Sequence, residues 1–82
     1  MQDKELETYF ENYYDLFASK GWKQFIEDIE GNRTLMSDIT SIKDANDLYY
    51  RKGSLDILDR VLNLQTGIEN AHKEALDNEE NV

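Results

Sequence analysis

The sequence has 82 residues and a net charge of −9, without cysteine or proline and with His72 as its only histidine. A chain this short forms one domain at most and buries only about 60% of the surface that its unfolded form exposes, so its own core is marginal. Disulfides and thiolate zinc sites are excluded and an imidazole-ligated metal is not expected, so we expect no cofactor, and oligomerisation is the remaining way to support a small core.

Negative charge is concentrated towards the two ends of the chain. Residues 1–30 contain eight acidic and three basic residues, residues 31–64 contain five of each, and residues 65–82 contain five acidic and one basic. Binding to phosphate needs a concentrated basic face, so we expect no direct contact with nucleic acid or with a membrane. The sequence has no apolar run of the roughly 20 residues that cross a bilayer and does not begin like a secretory signal. We therefore expect a cytoplasmic location.

The first predicted helix runs from about Asp3 to Ala18. Its apolar side chains recur at spacings of four, three and four residues and share one face: Leu6, Phe10, Tyr13 and Phe17. Two further tyrosines, Tyr9 and Tyr14, flank this face. Gly21 follows as the left-handed glycine expected after a helix C-terminus.

The second predicted helix begins at Trp22 and continues to about Ile39. The apolar spacing continues on both sides of Gly31, which either lies inside one helix at a cost of about 1 kcal/mol or divides it into two short helices. We predict a weak continuous helix. Residues 41–44 then form a turn, and Asp44 is the expected N-cap of the next helix.

The third predicted helix runs from Ala45 to about Asp77 and carries two adjacent apolar stripes. Gly53 and Gly67 weaken it locally and permit close approach of another helix or a bend. Residues 78–82 have no apolar periodicity and are expected to fray or be disordered. The predicted fold is all-α, an antiparallel helical hairpin or three-helix bundle with a long C-terminal helix, in a single domain of residues 1–77.

No group of residues in the sequence specifies a reaction. The acidic clusters at residues 27–30 and 44–47 fit solvated helix faces and caps, since paired carboxylates catalyse only where a cleft perturbs them. No calcium loop, phosphate loop or nucleophilic triad is present, so we expect no enzyme. The basic pair Arg51-Lys52 could hold a phosphate or an acidic partner, but Asp47 and Asp56 lie four residues away and indicate ordinary intrahelical ion pairs.

Two groups of residues are candidates for a protein interface. Seven aromatic residues fall within residues 9–25 and form either the core alone or the core and an interface, for which the candidates are Tyr9, Tyr13, Tyr14 and Trp22. A second group lies on the third helix, where the opposing helices are too short to cover it: Ile57, Val61, Leu64 and Ile68. Symmetric pairing of third helices would cover this second group, so we expect a homo-oligomer.

Two segments, GWKQFIEDI at residues 21–29 and LYYRKGSL at residues 48–55, carry a resemblance to a known group of proteins. They resemble small acidic helical proteins of tailed bacteriophages, especially short-tailed, podovirus-like ones, with Ser54 standing where glutamine is expected. That family has no established activity, so the resemblance implies a phage setting and assigns no functional residue.

The phage setting leaves two roles open. The leading one is a non-enzymatic protein-protein interaction module that is a small virion or assembly component, located in the host cytoplasm or the virion and docking to a larger phage assembly. The alternative is an acidic inhibitor of a host nucleic-acid enzyme. The salt dependence of binding distinguishes the two roles, because binding of an acidic protein to a basic groove weakens strongly as ionic strength rises.

Overall fold

The computed structural model describes residues 2–80, and over that range the chain is helical with no β-strand. The four α-helices and one short 3₁₀-helix, in chain order, are α1 (Gln2–Ala18), α2 (Lys20–Met36), the 3₁₀-helix Ile39–Ser41, α3 (Ala45–Leu62) and α4 (Leu64–Glu80). The prediction of an all-α fold is confirmed.

The first two helices are separated by Ser19 alone. Its Oγ accepts a hydrogen bond from the backbone N–H of Trp22 at 3.1 Å and donates one to the carbonyl of Leu16 at 2.6 Å, so one side chain caps both helix ends. Gly21 lies inside α2 and has no positive φ. The prediction that Gly21 would cap α1 in a left-handed conformation is therefore wrong, because the serine cap starts the next helix before the glycine is reached.

Helix α2 is continuous through Gly31, as predicted, but it ends at Met36 and not at Ile39. The side chain of Asp38 accepts hydrogen bonds from the N–H of Thr40 at 3.1 Å and from its hydroxyl at 2.7 Å. Such local bonds between a side chain and the backbone compete with the helical hydrogen bonds. They produce the 3₁₀-helix in place of the last predicted turn of α2.

The predicted cap of the third helix is confirmed. Asp44 Oδ1 accepts a hydrogen bond from the N–H of Asp47 at 2.8 Å, and Asp47 Oδ2 accepts one from the N–H of Lys43 at 3.0 Å. These reciprocal bonds satisfy N–H groups that have no partner within the helix.

The predicted single helix from Ala45 to Asp77 is instead divided in two at Asn63. This residue has φ −93° and ψ 2°, a conformation that ends α3, and its N–H bonds to the carbonyl of Asp59 at 3.0 Å. Asparagine adopts non-helical conformations more readily than the apolar residues around it. Helix α4 then extends to Glu80, beyond the predicted domain end at Asp77, and residues 81–82 of the predicted frayed tail lie outside the described residues.

The chain divides into two compact units. Unit 1 contains the segments Met1–Lys23 and Leu64–Val82, and unit 2 is Gln24–Asn63. In unit 1 the helices α1 and α4 pack together. Leu6 lies beside Leu76 while Tyr14 reaches His72, so these helices run antiparallel. In unit 2, an ion pair between Arg33 and Asp59 links the C-terminal part of α2 to α3.

Buried apolar side chains are found in unit 1 alone. Its core consists of Phe10, Phe17, Trp22 and Ile68. All of residues 24–63 are described, and none of them is buried. Unit 1 therefore has the hydrophobic driving force that stabilises a domain, and unit 2 has little of it within its own residues.

We predict that Phe17→Ala lowers the free energy of unfolding by about 3–5 kcal/mol, because it empties a position in the core of unit 1. Leu35→Ala is the control in unit 2: Leu35 is 71% exposed, and its replacement should cost less than about 0.5 kcal/mol. Urea denaturation followed by circular dichroism and by Trp22 fluorescence measures both. Equal losses from the two substitutions would contradict the assignment of the core to unit 1.

Candidate protein interface

The aromatic residues predicted as an interface lie in unit 1, at different depths. Trp22 is buried, with its ring centroid 5.1 Å from that of Phe17, so it belongs to the core. Tyr13 and Tyr14 are half-buried, and Tyr9 is 48% exposed. Of the four candidates, only Tyr9 presents a large surface to solvent.

His72 joins the two helices of unit 1 through aromatic contacts. Its Nδ1 lies 2.9 Å from the hydroxyl of Tyr14, and its ring centroid lies 4.6 Å from that of Phe10. No structural role was predicted for His72 from the sequence. Its structural role depends on a pairing 58 residues apart along the chain, for which the sequence carries no local signal.

The second predicted interface does not lie on a single helix. Ile57 and Val61 belong to α3 in unit 2, whereas Leu64 and Ile68 belong to α4 in unit 1. Ile68 is buried in the core of unit 1, Val61 and Leu64 are half-buried, and Ile57 is exposed. The prediction of one continuous stripe is wrong, because Asn63 interrupts the helix that was to carry it.

Unit 2 contains an open apolar groove between α2 and α3, with a volume of about 710 Å³. Its walls are Asn32, Met36, Tyr49, Tyr50, Gly53, Ser54, Ile57 and Leu58. Tyr49, Tyr50 and Ile57 are exposed in spite of their apolar surface. Ile57 was among the predicted interface residues and Tyr49 was not, although the adjacent tyrosines at positions 49 and 50 were an available signal.

The groove walls are joined by an ion pair between α2 and α3. Arg33 Nε donates to Asp59 Oδ1 at 2.6 Å, and both side chains are well exposed. The hydrogen bond and the charge of Asp59 raise the pKa of Arg33 above its ordinary value. An exposed ion pair of this kind contributes little to the free energy of folding. Its main effect is to fix the position of α2 relative to α3.

Arg51 connects α3 to the turn that precedes it. Its guanidinium donates hydrogen bonds to the carbonyls of Leu35, Asp38 and Ser41 at 3.1–3.4 Å and to the hydroxyl of Ser41 at 2.9 Å. Its Nε lies 3.2 Å from the carboxylate of Asp47, which confirms that predicted intrahelical pair. These groups of the chain occupy the guanidinium, so Arg51 is a structural residue and not an open anion site.

Charge differs between the two units. Unit 1 contains ten acidic and four basic residues, and unit 2 contains eight acidic and five basic residues, which gives net charges of −6 and −3. Every acidic residue of unit 1 from Asp3 to Glu79 is exposed. Unit 2 is therefore the less negative of the two units, and it contains seven of the eleven large apolar side chains that are exposed in the described part of the chain.

Among residues 2–80, no cluster of three or more histidine or acidic side chains is placed to hold a metal ion. No helix in the same range is both long and apolar enough to span a membrane. Comparison with protein families, with curated proteins and with solved structures finds no match to this chain.

We predict that the turn in unit 2 is sensitive to acid. The hydroxyl and the N–H of Thr40 hydrogen-bond to the Asp38 carboxylate and hold its pKa below the ordinary value of about 3.9. The pKa of Asp47 is lowered by the N–H of Lys43 and by Arg51. Because these folded-state pKa values lie below those of the unfolded chain, both carboxylates stabilise the turn above about pH 4. That stabilisation is lost as the pH falls through the folded values.

The measurement is a titration of the Thr40 amide resonance by ¹H–¹⁵N NMR. The resonance should shift with a midpoint below the ordinary aspartate value, and Asp38→Asn should abolish the shift. A midpoint at or above about 3.9 in the unmodified protein would contradict the assignment.

Proposed function

We propose that this chain is a non-enzymatic protein-protein interaction module whose binding surface is the groove of unit 2, and that it serves as a small component of a bacteriophage particle or of its assembly. The observation that carries the proposal is that unit 2 exposes Tyr49, Tyr50 and Ile57 around an apolar groove while burying no residue of its own. A groove of this kind gains stability when another chain covers it.

The chemistry of the groove fits a helix better than a small polar ligand. Its lining has apolar and tyrosine side chains, with Asn32 and Ser54 as the other polar members. Small-molecule sites add a few convergent polar groups that fix the ligand, and helix-binding grooves depend mainly on apolar anchors. Tyrosine is enriched in protein interfaces because it combines a large apolar area with a hydroxyl at its edge.

The phage setting is supported by the sequence resemblance, one segment of which coincides with the groove. Residues 48–55 include four of the eight groove-lining residues: Tyr49, Tyr50, Gly53 and Ser54. The resemblance thus falls on the surface that the geometry favours for binding.

A second candidate function is inhibition of a host nucleic-acid enzyme by the acidic face of unit 1. It is favoured by the net charge of −6 and by the exposure of the unit 1 carboxylates. An inhibitor of this kind would bind a basic groove through charge, and its affinity would fall steeply with salt. Binding through the apolar groove of unit 2 would depend only weakly on salt.

The test is photocrosslinking in bacteria infected with the phage that encodes the chain. A photoreactive residue is placed at Tyr49 in the groove, and the matched control carries it at Asn70, which is exposed on α4 of unit 1. We expect the variant at position 49 to crosslink to a virion or assembly protein, or to a second copy, at both low and high salt. The control should give little product.

The two candidate functions predict opposite patterns of crosslinking. Salt-sensitive crosslinks to a host enzyme from position 70, with none from position 49, would favour the inhibitor and contradict the assembly proposal. Mass spectrometry of purified particles supplies an independent measurement, since an assembly component of the virion is recovered with them.

A further inference from the structure

We infer that the groove of unit 2 is hinged: Arg51 fixes the end beside Tyr50, and the other end, beside Leu58, opens and adjusts its width to a bound chain. This hinge rests on the proposed function, since it concerns how the same groove adapts to its partner. Three observations within unit 2 support it: the distance between the two helix backbones, the positions of the polar links that join them, and the unequal enclosure of those links.

The two walls of the groove are not packed closely against each other. No Cα atom of α2 lies within 8 Å of a Cα atom of α3. None of the residues that line the groove is buried, and Met36, Ser54 and Leu58 are the half-buried ones. Interlocking apolar side chains normally fix the separation of neighbouring helices. The separation of α2 and α3 depends instead on the polar side chains that connect them.

One polar link lies at the end of the groove that is nearer the start of α3. Nη1 of Arg51 donates hydrogen bonds to the carbonyls of Leu35 and Asp38 at 3.4 and 3.2 Å. Leu35 belongs to the last turn of α2, where carbonyls lack partners within the helix, so Arg51 caps the C-terminus of α2. Arg51 directly follows the groove residue Tyr50, and Leu35 directly precedes the groove residue Met36. This link therefore defines the fixed end of the groove.

The other polar link lies further along α3, at position 59 instead of position 51, which corresponds to about 12 Å of helix. It is the ion pair in which Arg33 Nε lies 2.6 Å from Asp59 Oδ1. Arg33 directly follows the groove residue Asn32, and Asp59 directly follows the groove residue Leu58. This pair therefore spans the opposite end of the groove, which we call the far end.

The two links are not equally strong. The side chains of Arg51 and Asp47 are 15% and 22% exposed, and the guanidinium also donates hydrogen bonds to Ser41. The side chains of Arg33 and Asp59 are 45% and 44% exposed, and they are joined by the bond from Nε. Several charge-assisted bonds to one enclosed guanidinium are stronger than a single pair that water and salt screen. The far end therefore separates first, and α3 pivots about Arg51.

The test measures the two ends of the groove separately in the full chain. The sequence has no cysteine, so pairs of spin labels can be attached at introduced cysteines. Glu30→Cys with Arg60→Cys reports on the far end, and Thr34→Cys with Lys52→Cys reports on the fixed end. All four positions are exposed, and none of them lines the groove. Pulsed electron paramagnetic resonance then gives the distribution of distances within each pair.

We expect the far end alone to respond when its ion pair is weakened. Asp59→Asn should lengthen and broaden the distances at the far end, because a neutral amide no longer attracts Arg33, while the distances at the fixed end stay narrow. Raising the salt concentration from about 0.1 M to 1 M, which shortens the Debye length from about 10 Å to 3 Å, should act in the same direction. Arg51→Met should broaden the distances at both ends, because it removes the hinge itself.

The matched control is Asp56→Asn. Asp56 is also exposed on α3, but it forms no ion pair within the described residues, so both distance distributions should be unchanged. Arg51→Lys is a milder change at the hinge, since it keeps the charge and loses the planar fork of donors, and it should give an intermediate width at the fixed end. Circular dichroism should show unchanged helix content for Asp59→Asn and Asp56→Asn, so that a change in distance reports opening of the groove.

Three results would overturn the hinge. An equal response of both ends to Asp59→Asn would mean that α3 moves as a whole. No response at either end would mean that the groove is rigid. A fixed end that stays narrow in both Arg51 variants would mean that another group holds it. Photocrosslinking from position 49 tests the proposed function separately: crosslinks from a rigid groove would reject the hinge alone, and opening of the far end without crosslinks would reject the proposed function alone.

Discussion

Packing of α1 against α4 around Phe10, Phe17 and Ile68 is the interaction that stabilises this small chain. This packing is confined to unit 1, so unit 2 forms without a buried core. Trp22 joins this core because Ser19 caps α2 one turn earlier and so fixes the start of the helix that carries the tryptophan. A chain of 82 residues has too few apolar side chains for two cores. Unit 2 is consequently left with helices but without a buried residue.

Polar interactions give unit 2 a defined form in place of a core. Arg51 hydrogen-bonds to three carbonyls around the turn, Asp38 caps the 3₁₀-helix, Asp44 caps α3, and Arg33 of α2 pairs with Asp59 of α3. Hydrogen bonds and exposed ion pairs specify geometry well and contribute little net stability. Unit 2 is therefore defined by polar contacts and presents an apolar groove that none of its own residues fills.

Local signals in the sequence were sufficient to predict much of this fold. Apolar spacing predicted helix over most of residues 3–77, and Asp44 was identified as a cap because aspartate side chains accept hydrogen bonds from the first N–H groups of a helix. Continuity through Gly31 was also predicted. The predicted cap at Gly21 was wrong because Ser19, two residues earlier, caps both helix ends.

Features that depend on contacts distant in sequence could not be predicted. The pairing of Tyr14 with His72 joins the two ends of the chain, and the break at Asn63 assigned Ile57 and Ile68 to different units. Apolar periodicity alone cannot distinguish a buried stripe from an exposed one when the partner helix is unknown. The groove was missed for this reason, although one of its members, Ile57, had been identified.

Unit 2 is expected to be less stable than unit 1 until another chain covers its groove. Amide hydrogen exchange measures this directly, because protection reports the free energy of local opening. At a concentration where sedimentation finds only monomer, the amides of α3 should exchange with little protection while those around Phe10 and Ile68 stay protected. Protection of α3 should then rise when another chain covers the groove. Equal protection of α3 and α1 in the monomer would contradict the account.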